Sequence, residues 1–180
     1  MEFQQVVQSR RSVRSFQKTA VEEEKLQYVL ECARLAPSWT NGQCWRFIVV
    51  RDPEVRRTIS KTSLLNLWLR TAPVILVACA DPKESGRRNG IDYFAVDVGI
   101  AFEQLVLAAT DVGLGTCWLG AFDEEQIKTA LKIPKRIRVV ALSPLGYPAR
   151  RRTLRERVIS AVARSKKRKP LSDIVHYDRW

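Results

Sequence analysis

Arginine is the residue type this chain supplies most freely for chemistry, and it is clustered. Arg10, Arg11 and Arg14 surround Ser12 near the start, and the stretch from Arg150 to Lys169 carries ten basic residues against one acid, Glu156. A guanidinium offers paired N–H donors to a phosphate dianion and a hydroxyl adds another, so both patches suit an anion of that kind. The longer patch supplies +9 of the formal +12 net charge; it would also bind a polyanion by counterion release, or stand solvated as a self-repelling tail. Histidine occurs once, at His176, so a Ser-His-Asp relay or a multi-histidine metal centre has almost no material. Neither a metal nor a side-chain acid or base catalyst is expected. Gly113-Leu114-Gly115 lacks the third glycine of a dinucleotide fingerprint, and no G-x-x-x-x-G-K-[ST] phosphate loop occurs. The acids at Glu22–Glu24 and Asp123–Glu125 fall in first turns of expected helices, where carboxylates offset the helix dipole. Such a chain either borrows its chemistry from a cofactor or is no enzyme.

The elements that must position these groups follow from periodicity. Glu2 to Ser9 can form a short helix, and residues 10–16 are too charged and serine-rich for core, so they read as an exposed connection. Thr19 and Glu22 have capping-box spacing, with Leu26, Val29, Leu30 and Ala33 at helical intervals behind them up to Pro37. The polar run from Pro37 to Cys44 is a loop that delivers its groups to a strand at Trp45–Val50. A helix opening at Pro53 and closing before Pro73 carries Val55, Ile59, Leu64, Leu67 and Trp68. Val74 to Ala80 is a strand apolar enough to be covered on both faces. Asp92 to Val112 is the central core helix, with Val96, Ile100, Leu105, Val106 and Ala109 on one broad face, stopped by Gly113. A short strand (Thr116–Leu119), a helix (Glu124–Leu131) and a last core strand (Arg138–Leu145) complete an alternation that implies α/β or α+β, with one mixed sheet between helices.

At 180 residues, with 46% hydrophobic residues and five Trp, the chain suits one domain, residues 1–180, in which 150–169 is a basic segment and 170–180 a C-terminal tail. The cysteines Cys32, Cys44, Cys79 and Cys117 contain no C-x-x-C pair, no apolar leader follows Met1, and the longest apolar stretch, Pro73 to Ala80, is far short of a membrane span. A soluble cytoplasmic protein is the expectation.

Four segments in order then bear a resemblance: Arg10-Arg11-Ser12-Val13-Arg14, Pro37-Ser38-Trp39-Thr40-Asn41-Gly42-Gln43-Cys44-Trp45, Gly113 to Gly120, and the tail Arg168 to Trp180. Together they cover nearly the whole chain and resemble the nitroreductase family of flavin enzymes. The resemblance implies an α+β fold with a mixed central sheet flanked by helices, in a domain-exchanged homodimer with one FMN at each of two sites across the subunit interface. It implies that Arg10, Arg11, Ser12 and Arg14, with Lys166 and Arg168, hold the FMN phosphate and ring edge, Arg14 being the candidate near N1 and the C2 carbonyl. Pro37, Ser38 and Asn41 are implied as further cofactor contacts, with Gln43 a weaker match. Backbone N–H groups at Leu119-Gly120 are implied near N5; Gly120 also suits an ordinary strand-to-helix turn. Asn66 and Arg70 lie where relatives place a polar pair, without clean alignment. The implied activity takes hydride from NADH or NADPH onto flavin N5 and passes it to a small organic acceptor such as a nitroaromatic or a quinone.

Two other readings compete with it. One is a basic nucleic-acid-binding protein using Arg150 to Lys169, although no recognisable module accompanies the charge and the aromatics sit in apolar runs. Weak, sequence-independent binding is the most that is expected. The other is an FMN-binding protein without turnover.

Overall fold

A strand turns successive side chains to opposite faces, so an unbroken apolar strand needs cover on both. Val74–Ala80 is such a strand, buried along its whole length. The computed structural model describes residues 1–62, 64–151 and 168–180, with the backbone alone for 64–66; the chain divides into two compact units, 1–150 and 151–180. The first unit begins α1 (Phe3–Ser9), α2 (Glu23–Arg34), a 3-10 turn (Trp39–Asn41), β1 (Trp45–Val50), α3 (Pro53–Lys61), a 3-10 segment (Leu64–Thr71) and β2 (Val74–Ala80). It continues with a 3-10 turn (Pro82–Glu84), β3 (Arg87–Arg88), β4 (Ile91–Asp92), α4 (Tyr93–Asp111), β5 (Gly115–Thr116), α5 (Glu124–Leu131) and β6 (Arg138–Gly146). The main sheet has the order β1-β2-β6-β5 with antiparallel pairs throughout, and β3 with β4 forms a separate hairpin. Parallel pairing enters through a bridge from Ser12 to Thr116, on the side of β5 away from β6.

The alternation along β2 divides the core. Val74, Leu76, Ala78 and Ala80 pack with Leu26 and Val29 of α2 and Phe102 and Leu105 of α4. Ile75, Val77 and Cys79 face the other way, onto Ile59, Leu69 and Ile127. Helices thus cover both faces of a mixed sheet, the α+β class expected from the sequence. In the second unit a 3-10 turn at Leu171–Asp173 leads to His176, whose ring lies 4.6 Å from that of Trp180, and Leu171, Ile174, Tyr177 and Trp180 are exposed.

Three local expectations are corrected, and one signal was passed over. The Thr19–Glu22 capping box does not form: α2 starts at Glu23, Glu22 makes no side-chain cap bond, and its carboxylate accepts the Tyr147 hydroxyl at 2.7 Å instead. The helix expected to reach Pro73 stops at Lys61, because the five-residue step from Ile59 to Leu64 breaks the helical period and the Asp123 N–H takes the Thr62 carbonyl at 3.2 Å. On α4 the buried apolar set is Val98, Ala101, Phe102, Leu105, Val106, Ala108 and Ala109, while Val96 and Ile100 lie outward at 43% and 39% exposure. The Asn89-Gly90 pair, a hairpin signal in the sequence, makes the β3–β4 turn with both residues at positive φ.

α4 is long and apolar enough by length and composition to cross a membrane. It is here a core helix, lined with the buried residues just named.

Candidate functional site

The first arginine segment is held by the sheet rather than left as an exposed connection. Arg10 ends α1, its N–H donating to the Val6 carbonyl at 3.0 Å, and Arg10, Arg11, Ser12 and Arg14 are all half-buried. Val13 is 3% exposed and donates its N–H to the Thr116 carbonyl at 2.8 Å. Its side chain lies so close over Gly115 that a Cβ there would sit 2.7 Å from Val13 Cγ2. Charge and serine content missed this because a single valine does the burying, and alternation carries Ser12 and Arg14 away from it.

The same sheet edge continues to Leu119, which exchanges backbone hydrogen bonds with Leu142 at 2.9 and 3.0 Å. Its N–H is therefore committed, which leaves the Gly120 N–H as the donor of this pair for a ligand. A Cβ on Gly120 would meet no protein atom within 4 Å, and its φ is not in the left-handed range. Neither packing nor backbone strain asks for glycine there. Trp118 packs edge-on against Phe102 at 4.7 Å, tying the segment to α4.

The second polar loop occupies the opposite edge. Thr40, Asn41 and Gln43 all have positive φ (47°, 60° and 49°), an unusual density for residues other than glycine. The Gln43 N–H donates to Ser38 Oγ at 2.9 Å, and Gln43 Nε2 reaches the Asn41 carbonyl and Oδ1 at 3.3 and 3.2 Å. Gln43 thus braces the loop, while Pro37 and Asn41 are exposed and Ser38 half-buried. The Trp39 indole is held between the Tyr93 ring, 4.4 Å away, and Gly86, where a Cβ would lie 2.2 Å from it.

The sheet order sets the distance between the two halves. The loop leads into β1, and Ser12 lies four strand spacings away, beyond β2, β6 and β5. At about 4.8 Å per spacing that is roughly 19 Å, so the loop and Ser12 of one chain cannot close on a single phosphate. Lys166 lies outside the described residues, as does all of the basic run from 152 to 167; Arg168 belongs to the second unit. Of the misaligned polar pair, Arg70 is exposed and the side chain of Asn66 lies outside the description.

Sequence reading passed over Asp97, although an acid inside the apolar run Phe94–Phe102 is itself a signal. It is 2% exposed, and its Oδ1 accepts the Trp39 N–H at 2.9 Å. Its Oδ2 accepts the Ser85 hydroxyl at 2.6 Å and faces Cys44 Sγ at 3.6 Å. Burial, and then the Asp97 carboxylate, push the Cys44 thiol up to about 12, so it is a donor rather than a nucleophile. All four cysteines are free thiols. Among the described residues, no three His, Cys, Asp or Glu side chains gather as a metal site.

The chain matches the Nitroreductase family over residues 7–64 and 60–147. It is 37% identical over 147 residues to an Archaeoglobus fulgidus protein provisionally named NADH dehydrogenase/NAD(P)H nitroreductase, covering 79% of this chain and 83% of that one. With the FMN reductase [NAD(P)H] of Bacillus subtilis it shares 32% identity over 165 residues, covering 82% and 66%. The crystal structure of a nitroreductase family protein from Clostridium novyi NT superposes with a TM-score of 0.81 at 41% identity, covering 83% and 87%. With the fold, the ordered segments and these likenesses in agreement, the chain belongs to the nitroreductase family.

Proposed function

We propose that this chain, an NAD(P)H-dependent flavin oxidoreductase with FMN as cofactor, reduces a small organic acceptor such as a nitroaromatic or a quinone at sites completed by two copies of the protein. The carrying observation is the sheet-edge arrangement: Arg10, Ser12 and Arg14 share one edge with Gly120, and the 37–43 loop occupies the other. The donor set suits FMN, with guanidinium and hydroxyl groups for a phosphate, and at Gly120 a backbone with room for a planar ring to approach. Arg10, Arg11 and Ser12 would hold the phosphate, as would Lys166 and Arg168 by the family resemblance; Arg14 would supply positive charge for the N1 side of the ring, and the N–H of Gly120 would be a donor for N5. Pro37, Ser38 and Asn41 of the second copy close the site, so the cofactor is shared across a domain-exchanged homodimer. When bound, FMN takes hydride from NADH or NADPH at N5 and passes it to the acceptor. The chain's own part is to bind, orient and charge-compensate, without a side-chain acid or base.

The outward face of α4, with Val96 and Ile100 exposed beside Gly99, supplies an apolar surface for the second copy. The whole chain acts as one FMN-binding domain, and we place it in the cytoplasm, in keeping with its free thiols. The test is the absorbance of the purified protein. It should be yellow and bleach when NADH or NADPH is added without oxygen, the colour returning with a nitroaromatic or quinone. A protein that takes up no FMN on titration would overturn the reading, and one that binds FMN but is not bleached would be a binding protein without turnover.

A further inference from the structure

Asp97 gathers donors from two separate stretches of chain, Trp39 to Cys44 and the connection at Ser85. The Trp39 N–H comes from the 37–43 loop, the Cys44 thiol from the residue leading into β1, and the Ser85 hydroxyl from the connection before the β3–β4 hairpin. The two carboxyl oxygens of Asp97 accept from all three donors at once, and α4 holds the side chain in a buried position. The loop needs such an anchor. Three of its residues sit at positive φ without being glycine, a backbone state that persists only where surrounding structure imposes it. Its own braces, Gln43 to Ser38 and Gln43 to Asn41, fix the loop's shape. The Asp97–Trp39 bond, with the indole held between Gly86 and Tyr93, fixes its place against α4.

We propose that Asp97 is a positioning residue for cofactor binding: through the Trp39 N–H it holds the 37–43 loop in the form that presents Ser38 and Asn41 to the flavin, and through Ser85 it couples that loop to the hairpin connection. This rests on the reading of the loop as part of an FMN site. Asp97 touches neither cofactor nor substrate in this role; it acts through the loop.

The test uses Asp97→Asn, close to isosteric but bringing an NH2 group against the Ser85 and Cys44 donors, with Asp97→Ala, Asn41→Ala and the double variant Asp97→Asn/Asn41→Ala. Two measurements apply. Amide hydrogen exchange by mass spectrometry on the flavin-free protein should show residues 37–43 losing protection in Asp97→Asn while β2 and β6 keep theirs. FMN titration should show affinity falling about tenfold in Asp97→Asn and Asn41→Ala, and further in Asp97→Ala. The double variant should be no weaker than about the worse single one, because both changes act through one loop. A merely structural carboxylate would lower the thermal midpoint and leave the affinity of the folded fraction unchanged. Unchanged exchange at 37–43, unchanged FMN affinity in a folded Asp97→Asn, or losses that add in the double variant would each overturn the proposal. Failure of the wild type to bind FMN would instead overturn the flavin reading, and the exchange experiment would still decide whether Asp97 holds the loop.

Discussion

Gly115 and Gly120 stand five residues apart, and the structure around them differs. Gly115 is pressed against Val13, so Gly115→Ala should cost about 1–3 kcal/mol of stability and loosen the arginine segment paired beside it. Gly120 faces open space, so Gly120→Val should leave the thermal midpoint nearly unchanged, within about 0.5 kcal/mol, while weakening FMN binding about tenfold or more. Denaturation and flavin titration on the two variants separate these effects. A Gly120→Val protein with full FMN affinity would remove this residue from the site. The arginines test the phosphate end: Arg10→Ala or Arg168→Ala should lose about 1.5–3 kcal/mol of FMN binding, roughly ten- to a hundredfold, with the fold retained. Unchanged affinity in both would assign the phosphate elsewhere.

Among the elements, α5 and β6 are locked by one carboxylate. Glu124 is partly buried, which opposes ionisation, yet Arg138 Nε at 2.9 Å, the Val139 N–H at 2.9 Å and Lys128 Nζ at 3.1 Å hold it down to about 2. An unfolded glutamate titrates near 4.5, so the folded state binds fewer protons in this range. The stabilisation is complete above about 4.5 and is lost as pH falls towards about 2. After allowance for solvent screening it is worth up to about 2 kcal/mol. Glu124→Gln should lower stability at neutral pH and flatten the acid limb of a stability profile between these values. A variant whose profile parallels the wild type would show that the lock is not ionic. β5 owes its place to a different device. Gly113, at φ 79°, ends α4 and turns the chain back so that Gly115 and Thr116 pair with β6.

For the whole molecule, the separation of roughly 19 Å across the sheet predicts that flavin binding and self-association go together. Ile100→Glu places a charge on the outward face of α4, where a second copy would have to desolvate it. Light scattering should move from a dimer's mass towards a monomer's, and bound flavin should be lost with it. A monomeric wild type that retains flavin would rule out the shared site. The basic run from 150 onward is expected to act apart from this: neutralising Arg150, Arg151 and Arg152 should leave flavin content unchanged and reduce the salt slope of any DNA binding by up to about three units.

By itself the sequence determined the helices and strands whose apolar spacing is regular over many residues, such as α2, β2, α4 and β6. Solvent exclusion enforces that spacing along the whole element, so it is written into every residue of it. It also narrowed the chemistry, since a chain with one histidine and clustered arginines either borrows from a cofactor or is no enzyme, and the four ordered segments that resemble the nitroreductase family pointed to FMN. The tertiary structure alone decided the rest. The outward turn of Val96 and Ile100, the pairing of Ser12 and Val13 with Thr116, the break after Lys61 and the convergence of Trp39, Cys44 and Ser85 on Asp97 each depend on contacts between residues distant in sequence. The pattern of any one segment is blind to such contacts, because which partner a carboxylate, a carbonyl or an apolar face meets is settled only when the layers pack.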